Sequence, residues 1–210
     1  MRRRAEGGRA APAAAAGRVH CGPYGHVRRR CLLGAQQCRL QTGLICGHTG
    51  LMRRRLIALR HAKSDWSGAV ADHDRPLAGR GRREAALAGR WLRENAADID
   101  LVVYSSAKRA RQTWKLVAKQ LDNAPPARVD DRLYAASVRG LLAVVRKLPE
   151  SARAVLLIGH NPGLEELVAD LGGVGWPMKT SSIAVLSSRS EWAEVGARWA
   201  KLEVSLTPRS

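Results

Sequence analysis

The sequence predicts an α/β protein of three layers, helices packed on both faces of a mostly parallel central sheet. Three observations predict it. Strand-like and helix-like segments alternate from Met52 onward. The strand-like runs are continuously apolar, as in strands covered on both faces. Three of those runs stop on polar groups, Arg60-His61, Ser105-Ser106 and Gly159-His160.

Leu56–Leu59 reads as a short buried strand. Pro76, Gly79 and Gly81 then mark a loop. From Arg82 to Asn95, Ala85, Leu87, Ala88, Trp91 and Leu92 recur at helical spacing with arginines between them. Ile99–Tyr104 is the second strand. Residues 107–121 form the second helix, with Ser106 placed to cap it and Pro125 and Pro126 to stop it. A connector holding Val129 leads to a third helix over residues 137–149, closed by Pro149. Ala154–Ile158 is the clearest strand. The helix after it, residues 161–173, places Asn161 at the N-cap and Pro162 in the first helical position. "SSIAVLS" and "ARWAKLEVSLTP" supply two late strands.

The chain has 210 residues and is 45% hydrophobic, enough for one domain with a true core and something left over. Its formal charge is +18. Residues 1–51 hold nine Arg and one Glu, or +8; residues 52–210 hold 27 basic and 17 acidic residues, or +10. The sequence therefore divides into a basic leader, 1–51, expected to be poorly ordered, and a body, 52–210. Met52 opens the body, so the leader is expected to be an upstream extension of the start; its Arg-rich, acid-poor composition is shared by organelle transit segments, with nothing else in the sequence in support of that reading. All four cysteines, Cys21, Cys31, Cys38 and Cys46, lie in the leader, near His20, His26 and His48. None forms a C-x-x-C pair, and the expected reading is incidental thiols over a zinc site. A cysteine-free body fits a reducing cytoplasm. No run approaches the ~20 apolar residues of a membrane span.

Net basic charge favours anionic partners. Nucleic acid is the weaker choice among them, since three Tyr, six Trp and no Phe do not interleave with a basic stretch.

In sheets of this kind ligands bind beyond the carboxyl ends of the strands. Arg60 and His61 follow the first strand, Arg109 lies a turn into the helix after the second, and His160 follows the third. Two guanidinium forks and a helix N-terminus suit a phosphate dianion. A neutral imidazole beside them can attack phosphorus, and the arginines hold it unprotonated. His73, by contrast, reads as solvated surface. For the four rim residues, joint placement outweighs the ordinary reading of a lone His or Arg.

These residues resemble the histidine phosphatase superfamily, with its phosphoglycerate mutase-like fold. "LRHAKS" is similar to the family's Arg-His signature. "RPLAGRGRREA" resembles its next helix start through Leu77, Gly81 and Ala85, with Ala78 and Glu84 departing from the pattern. "SSAKRARQT" matches through Ser105, Arg109, Ala110, Gln112 and Thr113, and "IGHNPGLEEL" through Gly159 and His160. The resemblance spans about Leu56 to Leu206. It implies that His61 is the phospho-accepting nucleophile and that Arg60, Arg109 and His160 complete the phosphate pocket. It implies no metal and no cofactor.

Departures from the mutase branch bear on substrate. Where that branch has a phosphate-binding asparagine, this chain has Ser67, a shorter donor. Where it has a Leu-x-Glu acid, this chain has Leu133-Tyr134-Ala135. "RHAKS", "DRPL" and "GHNP" resemble the short bacterial phosphohistidine phosphatases of the SixA type. The expected substrate is phosphohistidine in a protein, the alternative a small phosphomonoester, and a nucleic-acid-binding protein the second alternative. Asp65, Glu165 and Glu166 are the candidate proton donors, the last two reading more simply as helix N-terminal charge. Lys63 either meets an acidic substrate surface or is solvated. Arg75 either reaches substrate or pairs with Asp72 or Asp74. Thr180, Ser181 and Ser182 are expected to border the pocket.

Overall fold

The computed structural model describes residues 53–209. The leader's cysteines and histidines lie outside the described residues. Six strands form one sheet: β1 Arg54–Arg60, β2 Leu101–Tyr104, β3 Ala127–Val129, β4 Ala154–Gly159, β5 Ile183–Ser188 and β6 Lys201–Leu206. Their spatial order is β3-β2-β4-β1-β5-β6. β1 to β4 run parallel, β5 runs against β1, and β6 runs against β5. Four helices cover the sheet: α1 Gly79–Asn95, α2 Lys108–Ala118, α3 Val138–Val145 and α4 Gly163–Gly172.

Strand β1 shows why the sheet is covered on both faces. Leu56, Ile57, Ala58 and Leu59 are all fully buried. Period-two alternation sends Leu56 and Ala58 toward α3 and α4, and Ile57 and Leu59 toward α1 and α2. Each such Leu or Ile contributes about 1.5–3 kcal/mol on burial. A polar face on β1 would leave one helical layer without a partner. The expected three-layer fold, mostly parallel, is the one observed.

Local signals fared less evenly. Val129 belongs to an edge strand, not a connector: all three residues of β3 are exposed, so no apolar run marks them. Ser106 does not cap α2; Ala107 holds that position, and the Ser106 hydroxyl instead meets His73 Nε2 at 3.1 Å. Asn161 does not cap α4 either. Pro162 holds the N-cap, and Asn161 Nδ2 donates to Glu165 Oε2 and to the Met178 carbonyl. α3 is capped by Ser137, whose hydroxyl accepts from Gly140 N.

Gly81 lies inside α1, where glycine costs about 1 kcal/mol against alanine. A Cβ there would lie 2.0 Å from the Lys63 carbonyl oxygen. That close approach seats α1 against the segment after His61, and Ala78 N donates to the same carbonyl. Gly81→Ala is expected to destabilise the protein by about 1–3 kcal/mol despite the better helix former; equilibrium urea unfolding reads the difference.

Candidate active site

The register of β1 on β4 pairs Arg60 with Gly159. The next residues, His61 and His160, therefore leave the sheet side by side, and their ring centroids lie 4.8 Å apart. Both are buried, as is Arg109. β2 ends beside them: Ser105 N donates to the Ile158 carbonyl, and Ser105 Oγ lies 2.7 Å from His160 Nε2. Three strand ends separated by up to a hundred residues thus converge on one rim.

His61 Nδ1 lies 2.8 Å from the Ala62 carbonyl. A carbonyl only accepts, so Nδ1 carries the proton and Nε2 carries the lone pair. That lone pair faces α2, where Arg109 Nε donates to it at 3.3 Å. His160 spends Nε2 on Ser105 and leaves Nδ1 buried and unpartnered among the described residues.

Burial lowers the His61 pKa to about 4, with Arg109 and Arg60 adding to the shift and the Ala62 carbonyl opposing it. Burial, then the adjacent His61 and Arg109, takes His160 to about 3. Both rings are neutral at pH 7. The sign for stability follows: above about pH 6.5 folded and unfolded imidazoles are alike neutral. Below it the unfolded ring gains a proton that the folded ring refuses until about pH 4. His61 alone should therefore remove on the order of 3 kcal/mol of stability between those two values. Replacing it with Gln should flatten that part of the acid-unfolding profile.

Arg109 is held from behind. Its Nη1 donates to the Asp72 carbonyl at 2.6 Å and its Nη2 to Asp72 Oδ2 at 3.0 Å. Asp72 also receives Arg75 and the Tyr134 hydroxyl, the latter at 2.8 Å. Partial burial would raise the Asp72 pKa, but the bonds from Tyr134 and Arg109 outweigh it and keep the carboxylate ionised. Tyr134 stands edge-on to both His160 and His73. Asp72→Asn keeps the size and the Tyr134 bond but loses the charge that fixes Arg109. Turnover is expected to fall by up to about 10²-fold, as for a misplaced group, with kcat moving more than KM.

Arg60 is placed differently. Its Nη1 donates to the Met178 carbonyl at 2.6 Å, and its Nε is buried without a partner among the described residues. It lies close enough to the two imidazoles to depress both. Arg75 is buried, ion-paired to Asp72 and stacked 3.3 Å from the centroid of the exposed Trp66 ring. Ser67 turns inward on its own loop, donating through N and Oγ to Asp65 Oδ1. The Lys63 side chain is exposed. Ser181 and Ser182 are fully buried. Ser181 holds a left-handed φ of 61° while its N donates to the carbonyls of Arg60 and His61, so this segment clamps the backbone under the His61 ring. Thr113 does the same from α2, accepting from Ala62 N and donating to the Arg109 carbonyl.

Two of the three candidate acids are otherwise engaged. Asp65 is tied to Ser67, whose bonds lower its pKa. Glu165 Oε2 accepts from Met178 N and Asn161 Nδ2. Glu166 is exposed, lining with His160 a cavity of about 330 Å³. Sequence reasoning placed Asp72 only as a partner for Arg75, a pairing the structure has, missed its hold on Arg109 and Tyr134, and set His73 aside. Asp72 and His73 lie in a loop with no periodic signal, and Tyr134 holds the position where an acid was sought. None of the groups of acidic, His and Cys side chains among the described residues could hold a metal ion.

Paired neutral imidazoles and a fixed guanidinium, on the rim of a doubly covered sheet, define a phosphatase built around histidine. Residues 56–141 match the model of the histidine phosphatase superfamily (branch 1), and the chain belongs to that superfamily. It is similar to an uncharacterized protein of Mycobacterium tuberculosis, 39% identical over 162 residues, which cover 72% of this chain and all of that one. It is also similar to the phosphohistidine phosphatase SixA of Escherichia coli, 35% identical over 117 residues, 54% of this chain and 73% of that one. The solved structure of the protein histidine phosphatase SixA complexed with tungstate superposes with a TM-score of 0.64 at 28% identity, covering 73% of this chain and 97% of that one.

Proposed function

We propose that this phosphatase dephosphorylates phosphohistidine in proteins, without a metal, through a phosphohistidine intermediate on His61. The observation that carries the reading is the unprotonated Nε2 of His61, fixed by the Nδ1 bond to the Ala62 carbonyl and met by Arg109 Nε.

In the first step the His61 Nε2 lone pair attacks phosphorus. The bond from phosphorus to the substrate imidazole breaks, and its electron pair returns to that ring nitrogen. Arg109, Arg60 and the unengaged His160 Nδ1 meet the phosphoryl oxygens as charge builds on them. In the second step water attacks the phosphorus, the electron pair of the breaking bond returns to Nε2, and both of the water's protons leave with inorganic phosphate as H2PO4−. His61 returns to its starting state.

The leaving group decides the substrate. An alkoxide needs a proton from a general acid. Asp72, the carboxylate that pairs with Arg109, is ionised and carries three donors. A substrate imidazole protonated on its other nitrogen departs neutral and needs no such donor. The similarity to SixA of Escherichia coli, a phosphohistidine phosphatase, points the same way. Within the site, Arg75 and Ser67 are read as holding Asp72 and Asp65, and Lys63 as facing the substrate's surface.

Matched peptides carrying phosphohistidine and phosphoserine, together with a small sugar phosphate, test the assignment. The phosphoramidate is expected to have the highest kcat/KM by orders of magnitude. Equal or faster turnover of the alcohol esters sinks it and leaves the small-phosphoester reading.

A further inference from the structure

The site described above leaves a larger cavity unused. It holds about 540 Å³ between α1 and the segments 179–180 and 207–209. Arg80, Arg83, Arg90, Lys179 and Arg209 line it, with Glu84 as the single carboxylate. Its apolar floor is Ala86, Leu87 and Pro208.

The charge is not spent within the fold. Arg80 pairs with Glu84, which also accepts from Thr180 Oγ1 and Lys63 N. Arg83, Arg90, Lys179 and Arg209 have no ion-pair partner among the described residues and are exposed. Residues 80, 83, 87 and 90 share one face of α1 by helical spacing, so the arginines form a row rather than a scatter. Five cations around one cavity repel one another, and only Arg80 among them is paired within the described residues.

The groove shares a wall with the active site. Thr180 precedes Ser181, whose N donates to the carbonyls of Arg60 and His61. Lys63, two residues after His61, contacts Glu84 in the groove. Thr207 Oγ1 lies 2.7 Å from Ser182 Oγ on the same wall. A polypeptide with its phosphorylated side chain at His61 has this groove beside it.

We propose that the groove binds an acidic segment of the phosphoprotein substrate, next to the phosphorylated histidine. This rests on the function proposed above. The cationic rim matches Asp and Glu side chains, and the floor of Ala86, Leu87 and Pro208 matches an interspersed apolar one. A small anion would use a fraction of the volume and one or two of the cations.

Two phosphohistidine peptides test it, one flanked on both sides by glutamates and one by glutamines. The acidic peptide is expected to have about tenfold higher kcat/KM at low salt, through KM, because the rim attracts it. The preference should shrink as salt shortens the Debye length. R83E/R90E, both on exposed positions, should bring the ratio to about one, with the glutamine peptide reporting that the protein is folded. A ratio near one in the unaltered protein overturns the proposal. So does a groove that binds a short single-stranded DNA with R83E/R90E-sensitive affinity and does not release it to the glutamate peptide. If neither phosphohistidine peptide is turned over but phosphoserine peptides are, the function proposed above fails. The same glutamate-to-glutamine ratio, measured on phosphoserine peptides, then tests the groove by itself.

Discussion

His61→Ala is expected to abolish turnover while the protein stays folded. The ring's Nε2 carries a lone pair aimed at the guanidinium of Arg109, because Nδ1 is committed to the Ala62 carbonyl. Its neutrality at pH 7 is enforced by burial and by Arg109 and Arg60. Removing it leaves Arg109 and His160 able to bind phosphate but nothing to form the covalent bond. Brief incubation with labelled phosphodonor, quenching in acid or base, and mapping of the label provide the direct check. An acid-labile, base-stable phosphate should map to His61 and be absent from the variant. Near-normal activity of His61→Ala on the best substrate would remove the mechanism.

Arg109→Ala carries the second large effect. Its guanidinium is buried, donates to Nε2 of His61, and is fixed by two bonds to Asp72. A donor already oriented before substrate arrives loses no reorganisation energy when charge develops on the phosphoryl oxygens. Removal should lower kcat by roughly ~10²–10³, as for one preorganised donor. Arg109→Lys should recover only a fraction, because an ammonium cannot span Asp72 and His61 with a planar fork. Full recovery by lysine would show that charge alone, not geometry, is what the position supplies. The two substitutions separate the roles: the first removes the labelled intermediate, and the second slows its formation and its breakdown.

Much of the rim was legible because parallel strands impose a common end. Once three apolar runs are read as parallel strands, the residues just past each run must lie on one edge. His61, Ser105 and His160 could be placed there before any coordinates. The Asp72–Tyr134 brace was not legible. Asp72 reaches Arg109 across 37 positions and Tyr134 across 62, through loops whose path depends on everything packed beneath them. Ser67 shows the same limit in reverse. A hydroxyl aligned with a phosphate ligand in a related pattern closes instead on Asp65, two residues away, because a short local bond costs little chain entropy.

By itself the sequence determined which segments are buried on both faces, hence the layered α/β fold, and which polar residues stop at the strand ends. Those are consequences of periodicity and of the direction of parallel chains, and both are local. The tertiary structure alone decided which nitrogen of His61 faces Arg109, what holds Arg109, and that the α1 arginines border a cavity beside the site. Each of these depends on distances between segments remote in the chain, and no local pattern encodes such a distance.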